Sequence, residues 1–531
     1  MKFIDYAKQV QKDYEAPIVL AKVGNKQYEL NDTCDYKLED IHFITVEEKA
    51  GIETYKRSVT FMMLKAFYST VPVEDISILF TLSHSLYVEV KGNFKLTQDL
   101  LDKVKSKMHE FVEKDIVFSK RTMHTDEAIE LFKKRKMTAK SDLFKFRRVS
   151  STTIYSLDGF YNYFYGDLAY STGVLKYFDL KLYKDGFVLL FPTQQDFKTV
   201  NPLAATDNMY NTLKESVEWS KKLGVRSISD LNKAIVEKRM NDVILIQESL
   251  MAQKISDIAR DIVAKNKKIV LVAGPSSSGK TSFSKKLAIY LKTMGLIAHP
   301  IACDNYFKER SETPVDEKGE YNFEDLDALD LELFDAQMND LLEGKEVLLP
   351  TFNFTTGCKE YLGNTLQLKD NDVVIVEGIH CLNERFLPDL DVYRVYISAL
   401  TTLSIDKHNR ISTSDLRLLR RISRDAQHRN SDAQRTIKMW KKVRAGEQKN
   451  IFPYQENADV IFNSSSFIYE IPVLKNSVEA LLFAVDRNSE EYFEAKRLLK
   501  FLDFFLGYND KVIPNDSIVR EFIGGSCLDV G

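Results

Sequence analysis

The chain has 531 residues, too many for a single core at about 150 residues per domain. Hydrophobic residues make up 44% and charged residues 28%, the balance of an ordinary soluble globular protein. With 74 basic and 77 acidic residues the net charge is −3, so no global field recruits nucleic acid.

No apolar run reaches the roughly 18 residues of a membrane span. The start, Met1-Lys2-Phe3-Ile4-Asp5-Tyr6, lacks a signal-peptide core. The cysteines (Cys34, Cys303, Cys358, Cys381 and Cys527) form no C-x-x-C pair, so neither a zinc site nor a disulfide framework is indicated. An odd count of scattered thiols leads us to expect a reducing, cytoplasmic setting.

In chain order, residues 1–55 read as a small α/β module. A helix is expected at 6–10, and strands at 18–23, 26–30 and 42–46. Residues 56–204 read as a larger α+β block. Its helical patterns run over 58–68, 97–114 and 126–134, and its strands over 86–90 and 186–191. Residues 205–265 are expected as a helical connector. A tail, 471–531, carries one strong helical pattern at 489–505. Internal repeats and low-complexity segments are absent from the sequence.

Between connector and tail, residues 266–470 hold the chemistry. Gly274-Pro275-Ser276-Ser277-Ser278-Gly279-Lys280-Thr281 fits G-x-x-x-x-G-K-[ST], a loop that cradles nucleotide phosphates. The apolar run Lys268-Ile269-Val270-Leu271-Val272-Ala273 enters it as a buried parallel strand, and a helix leaves it from Ser282 to Thr293. The glycines let backbone N–H groups turn inward, and the positive helix end meets the phosphates. Residues 274–282 are therefore the expected ATP contacts, with Lys280 reaching the β/γ-phosphates and the Thr281 hydroxyl holding Mg²⁺.

Further segments belong with this loop. In Pro300-Ile301-Ala302-Cys303-Asp304-Asn305-Tyr306-Phe307 an acid sits at a strand's carboxyl end, where open α/β sheets bind ligands. Asp304 is placed there either to accept a proton from a substrate hydroxyl or to hold Mg²⁺ through water. Asp372-Val373-Val374-Ile375-Val376-Glu377-Gly378 is a Walker-B-like strand that would bring Glu377 to the metal and Thr281. In Arg420-Arg421-Ile422-Ser423-Arg424-Asp425-Ala426-Gln427-His428-Arg429 helical spacing puts Arg421 and Arg424 on one face. Arginine forks fit phosphate oxygens and offset transition-state charge. Lys438, Lys441, Lys442 and Arg444 read as solvated surface. The segments together suit phosphoryl transfer to a small hydroxyl acceptor. An Asn-Lys-x-Asp guanine-reading motif is absent, against a regulatory GTPase.

Over about 200 residues this part resembles the uridine kinase/phosphoribulokinase family. The resemblance is carried by the 274–281 loop, Asp304-Asn305-Tyr306-Phe307, Tyr321-Asn322-Phe323-Glu324, Val376-Glu377-Gly378-Ile379, the arginine segment and Asn457-Ala458-Asp459-Val460-Ile461-Phe462. It implies an α/β fold, a P-loop NTPase parallel sheet with helices on both faces. It implies Asp304 as the base acting on a ribose 5′-hydroxyl, and Arg421, Arg424 and Arg429 as phosphate-facing lid arginines. Tyr306, Glu324 and Phe352 fall at substrate-facing positions. Uridine kinases carry aspartate where this chain has Glu324, with Asp327 an alternative. Their base-reading tyrosine and histidine appear here as Phe352 and Gly357, so the pocket loses two hydrogen-bonding groups. The acceptor is thus a nucleoside, or a different polyol.

Residues 1–200 resemble the N-terminal region of threonyl-tRNA synthetase, a β-grasp-like TGS module (1–55) followed by an editing-like domain (56–204). The carrying segments are Lys56-Arg57-Ser58-Val59-Thr60-Phe61 and Gly166-Asp167-Leu168-Ala169-Tyr170-Ser171-Thr172-Gly173. The family's histidines and cysteine correspond here to Arg57, Phe61, Phe164 and Leu168, none of them a zinc ligand or hydrolytic base. Editing chemistry is expected to be absent, leaving an RNA-binding, regulatory or dimerising module; an RNA-binding regulator in which ATP switches this half is the rival reading of the chain. The combination resembles bacterial-type nucleoside kinases of about this length. For the tail, including 498–502 and 518–525, packing on the kinase core or a subunit contact is expected.

Overall fold

The computed structural model describes residues 1–530 apart from 205, 316–318, 320 and 354. Its centre is a five-stranded parallel sheet built from the β-branched runs of the C-terminal part. The strands lie in the order Ile297–Ala302, Asp372–Glu377, Ile269–Ala273, Val392–Ser398, Val460–Asn463. Such runs are apolar on both faces because helices cover both. Val270, Val272, Val373, Ile375 and Val395 pack with Phe283, Leu287 and Leu291 of the helix Lys280–Thr293. The alternate residues Ile269, Leu271, Val374 and Val376 pack with Phe334, Met338 and Leu341 of the helix Leu331–Leu342.

The strand order places the site. The chain leaves Ile269–Ala273, crosses outward to Ile297–Ala302, then returns to fill the gap with Asp372–Glu377. Glu377 pairs in register with both Val272 and Ala302. The carboxyl ends of these three strands therefore open at one edge, the usual ligand crevice of an open parallel sheet.

The segment expected as a connector belongs to this core. In the helix Met240–Ala264, Val243, Ile244, Met251, Ile255, Ile258 and Ile262 are buried with the Phe283 face of the sheet. The helix Asp207–Lys222 buries Met209, Leu213 and Val217 against the other face. Polar residues dominate the helix Asp207–Lys222, but both helices carry a buried apolar stripe.

The N-terminal half begins with the helix Phe3–Val10 and an antiparallel sheet of Lys26–Glu29, Ile18–Val23 and His42–Thr45. The helix Lys49–Thr70 then runs straight through position 55/56, where a boundary was expected. Its Phe61, Met62, Leu64 and Phe67 are fully buried. Two further antiparallel sheets follow: Val73–Leu82, Ser85–Gly92, Gly186–Leu190, Asp179–Tyr183; and Phe118–His124, Ser151–Leu157, Phe160–Asn162. This half grips the loop that leads into the arginine helix. Lys140 Nζ meets Asp406 Oδ1 at 2.5 Å in a buried ion pair, and Asn409 Nδ2 donates to the Tyr163 carbonyl at 3.0 Å.

The tail holds the helix Tyr492–Leu502, shorter than the expected 489–505, and an unexpected one at Glu470–Phe483. Leu474, Val478, Leu498, Phe501, Ile518 and Phe522 join the cluster of Phe283. Among the described residues, no helix is long and apolar enough to cross a membrane.

Candidate functional site

The strand Ile269–Ala273 ends at Gly274, where a Cβ would lie 2.2 Å from the Ile397 carbonyl oxygen. Only glycine lets the chain pass so close to the neighbouring strand. Ser277 (φ 59) and Gly279 (φ 86) then take left-handed conformations that curl the loop around its own amides. The helix begins at Lys280. Lys280 Nζ folds back to donate to Gly274 O (2.8 Å) and Pro275 O (3.3 Å). Burial lowers its pKa, and Glu377, Glu521 and Asp304 around it pull the other way.

Thr281 Oγ1 donates to Glu377 Oε1 at 3.1 Å. The other oxygen, Glu377 Oε2, is buried with no hydrogen-bond partner among the described residues, as are Ser277 Oγ and Ser278 Oγ. Buried polar groups without partners are costly. A phosphate and a hydrated cation would supply them, so these residues fit a magnesium-bound nucleotide. Among the described residues, no group of three His, Cys, Asp or Glu side chains is placed to hold a metal. The cation would therefore take most of its ligands from phosphate oxygens and water.

The arginine helix Thr413–His428 divides its guanidinium groups between two tasks. Arg417 and Arg420, neither of which was singled out from the sequence, are buried and hold the loop's carbonyls. Arg417 Nε donates to Ser276 O at 2.9 Å and pairs with Glu447 through both terminal nitrogens. Glu447 in turn accepts from the Ser276 N–H at 3.1 Å. Arg420 pairs with Glu470 and donates to Ser277 O (3.3 Å) and Ser464 O (2.8 Å). Fixing these carbonyls outward leaves the later loop amides facing inward.

Of the arginines read from the sequence, Arg421 reaches the loop directly, donating to Ser276 Oγ at 2.9 Å. It also pairs with Asp425 at 3.2 Å. Arg424 pairs with the same carboxylate at 3.1 Å, and its charge is felt at Lys280. Arg429, past the helix end and exposed, joins it at 3.7 Å. Asp425 thus gathers all three, a role the sequence did not signal.

Across the cleft, Asp304 sits in a 3-10 turn, Cys303–Tyr306, after the strand Ile297–Ala302. It is open to solvent but lies deep enough for desolvation to raise its carboxyl, with Lys280 pulling it down. Glu324 faces the same space. Burial raises its carboxyl, Glu447 and Asp304 push it further, and Arg421 and Lys280 oppose them. Asp327 is exposed and paired with Arg385 at 2.6 Å, so it does not stand in for Glu324.

Tyr306 and Phe352 are buried in one apolar cluster with Phe307 and Phe334. Tyr306 is buried, packs edge-on to Phe334, and donates its hydroxyl to Gln337 Oε1 at 2.7 Å. Phe352 is buried edge-on to Phe307. At Gly357 (φ 75) a Cβ would lie 2.7 Å from Arg310 Nε, so an arginine packs where relatives were expected to carry histidine. His380, three residues past Glu377, is buried with neither ring nitrogen bonded among the described residues. Burial lowers its pKa to about 4, keeping it neutral beside Asp325 and Asp327. Nothing in its sequence context marked it.

Gly446 gives this cleft a test. In the helix Ala433–Asn450 a Cβ at 446 would approach Glu324 Oε2 at 3.1 Å and its Cβ at 3.3 Å. Gly446→Ala adds helix propensity of about 0.5–1 kcal/mol, so thermal stability should hold or rise. The shifted Glu324 should raise the acceptor KM several-fold. An unchanged acceptor KM would place Glu324 outside the acceptor site.

Residues 269–467 match the model of the Phosphoribulokinase / Uridine kinase family. Uridine kinases of Staphylococcus aureus strains JH9 and Newman are each 28% identical over 216 residues, covering 40% of this chain and 96% of theirs. A solved structure described as a possible uridine kinase from Bacillus stearothermophilus aligns with TM-score 0.28 and 19% identity. It covers 40% of this chain and 97% of that one. D-glycerate 3-kinase from Cryptococcus neoformans aligns with TM-score 0.22 and 13% identity, covering 51% of this chain and 88% of its own. The C-terminal part of this chain carries a P-loop kinase domain of the phosphoribulokinase/uridine kinase family, an ATP-dependent phosphotransferase acting on a small-molecule hydroxyl.

Proposed function

We propose that the chain transfers the γ-phosphoryl group of ATP to a hydroxyl of a nucleoside. The observation that carries this is Asp304, a solvent-reachable carboxylate at the strand's carboxyl end, raised by partial burial and within the field of Lys280. Asp304 removes the acceptor proton as its oxygen attacks the γ-phosphorus, and the proton then passes to water. ADP departs with the bridging oxygen. The later loop amides, from Ser277 on, and Lys280 bind the phosphates, and Arg421, Arg424 and Arg429 exchange Asp425 for phosphate oxygens. Thr281 and Glu377 would hold Mg²⁺, whose charge offsets that of the β/γ-phosphates.

The relatives named uridine kinases favour a nucleoside. Phe352 and the Arg310-filled space at Gly357 favour a second reading, a kinase of a sugar or polyol. ADP release with Mg-ATP and a panel of nucleosides, sugars and polyols separates them. A nucleoside should give the highest kcat/KM, and Lys280→Ala should lower it at least about 10³-fold. A polyol at the top would shift the assignment to the second reading. No acceptor-dependent release from the panel would sink both.

For the front half we propose a TGS-like module and an editing-like domain without editing chemistry. The support is that the relevant positions are filled. Phe61 and Phe164 pack at 5.0 Å in a buried aromatic cluster. Arg57 Nη1 donates to the Asp167 carbonyl, and the Leu168 N–H is taken by Glu29 at 2.7 Å. Retained tRNA affinity, or self-association, would make it a regulatory or dimerising module.

A further inference from the structure

The tail beyond the family match returns to the loop. Ser282 Oγ, fully buried, donates to Glu521 Oε2 at 2.6 Å. Glu521 itself is 5% exposed and lies 239 residues further along the chain. Its charge is felt at Lys280 and at Arg429. One turn earlier, Ile518 Cγ2 would be 2.6 Å from a Cβ on Gly279, so the tail packs directly on the loop's left-handed turn. Phe522 lies under the Arg420 guanidinium at 4.6 Å, and its carbonyl accepts from Gln427 Nε2 at 3.0 Å. Lys286 Nζ to Asp516 Oδ2, 2.8 Å, pins the same stretch to the loop helix. One short segment thus touches the phosphate loop, its helix and the arginine helix.

We propose that residues 513–525 form a wall of the donor-nucleotide site, with Glu521 a positioning residue for Ser282 and the first turn of the loop helix. This rests on the P-loop reading above. A hydroxyl at the third position of that helix is free to rotate, and toward the loop it would compete for the amides the phosphates need. Glu521 holds it outward. Ile518, closing over Gly279, holds the turn that aims the amides. The carboxylate bonds through an acceptor oxygen, which an amide preserves and a methyl group does not. Because nucleotide and tail meet through the same residues, ordering one orders the other, and the linkage is reciprocal.

ADP is the probe, titrated calorimetrically into the full-length chain. Glu521→Ala should weaken ADP about tenfold, and Glu521→Gln should bind within threefold of wild type. ADP should also slow amide hydrogen exchange across 513–525 in the wild-type protein, a measurement that stands even where Glu521→Ala fails to fold. Wild-type affinity in Glu521→Ala overturns the proposal, as does an equal loss in Glu521→Gln. So does exchange in 513–525 that ignores ADP while residues 274–282 become protected. If the wild-type chain binds no ADP, the P-loop reading falls and this proposal with it; if only the variants and the tail fail to respond, the reading stands.

Discussion

Asp304→Asn is expected to lower kcat by about 10²–10⁴, the usual contribution of a positioned general base, while ATP affinity stays within about threefold. Asparagine keeps the shape and removes the proton acceptor. The pH dependence carries the same assignment. Desolvation raises the Asp304 carboxyl above its ordinary range, and Lys280 only partly restores it. The working form is the carboxylate, so activity is lost as pH falls through the raised value. The acid limb of kcat/KM for the acceptor should therefore lie above the ~3.9 of a free aspartate. Stability runs in the opposite sense. A carboxyl whose pKa is raised by folding favours the native state below its unfolded pKa, and that contribution is lost as pH rises through the folded value. Above the raised value the ionised Asp304 is a liability, and Asp304→Asn should raise the thermal midpoint there but not below the unfolded pKa. ADP release and a thermal melt at several pH values check both. Full activity in Asp304→Asn would remove the base.

The phosphate loop was legible because its determinants are local. Glycines at 274 and 279, the lysine and the threonine lie within eight positions, and the flanking strand and helix declare themselves by their apolar periods. Asp304 and Glu377 were legible as acids at strand ends. Their meeting needed only the parallel sheet, which the register of Glu377 with Val272 and Ala302 provides. The arginine helix was half legible. Four guanidinium groups follow one another at helical spacing, but their fates depend on distant carboxylates. Arg417 finds Glu447, 30 positions away, and Arg420 finds Glu470, 50 away. Arg421 and Arg424 pair with Asp425, their near neighbour, and Arg421 also donates to Ser276 Oγ, 145 positions away. The helix Glu470–Phe483 carries Pro472 in its first turn, where proline is tolerated. The stripe of 240–264 recurs at helical spacing, with Val243, Ile244, Met251, Ile255, Ile258 and Ile262 on the buried face. Glu521 had no local signal at all, since its partner lies in another part of the chain.

Arg420→Met should cost about 3–5 kcal/mol of stability, the range for breaking a buried ion pair by removing one partner. Both groups are sealed from solvent, at 0% for the Arg420 side chain and 1% for Glu470. Burial raises the Glu470 carboxyl, and Arg420 is the charge that opposes it. Without the guanidinium, Glu470 is left as an uncompensated buried acid and takes up a proton. The deficit should then be largest at alkaline pH and shrink on acidification, because protonation removes the stranded charge. Urea unfolding midpoints across pH 5–9 measure this. The double change Arg420→Met with Glu470→Leu separates stability from the site. Replacing a buried pair by apolar groups is often neutral or stabilising, so most of the lost stability should return. Nucleotide affinity should not. Arg420 also donates to Ser277 O and Ser464 O, and neither hydrogen bond comes back with leucine and methionine. A loop carbonyl freed to turn inward meets phosphate oxygens with the wrong sign of dipole. Recovery of stability together with ADP affinity would show that Arg420 holds up the fold and leaves the loop to position itself.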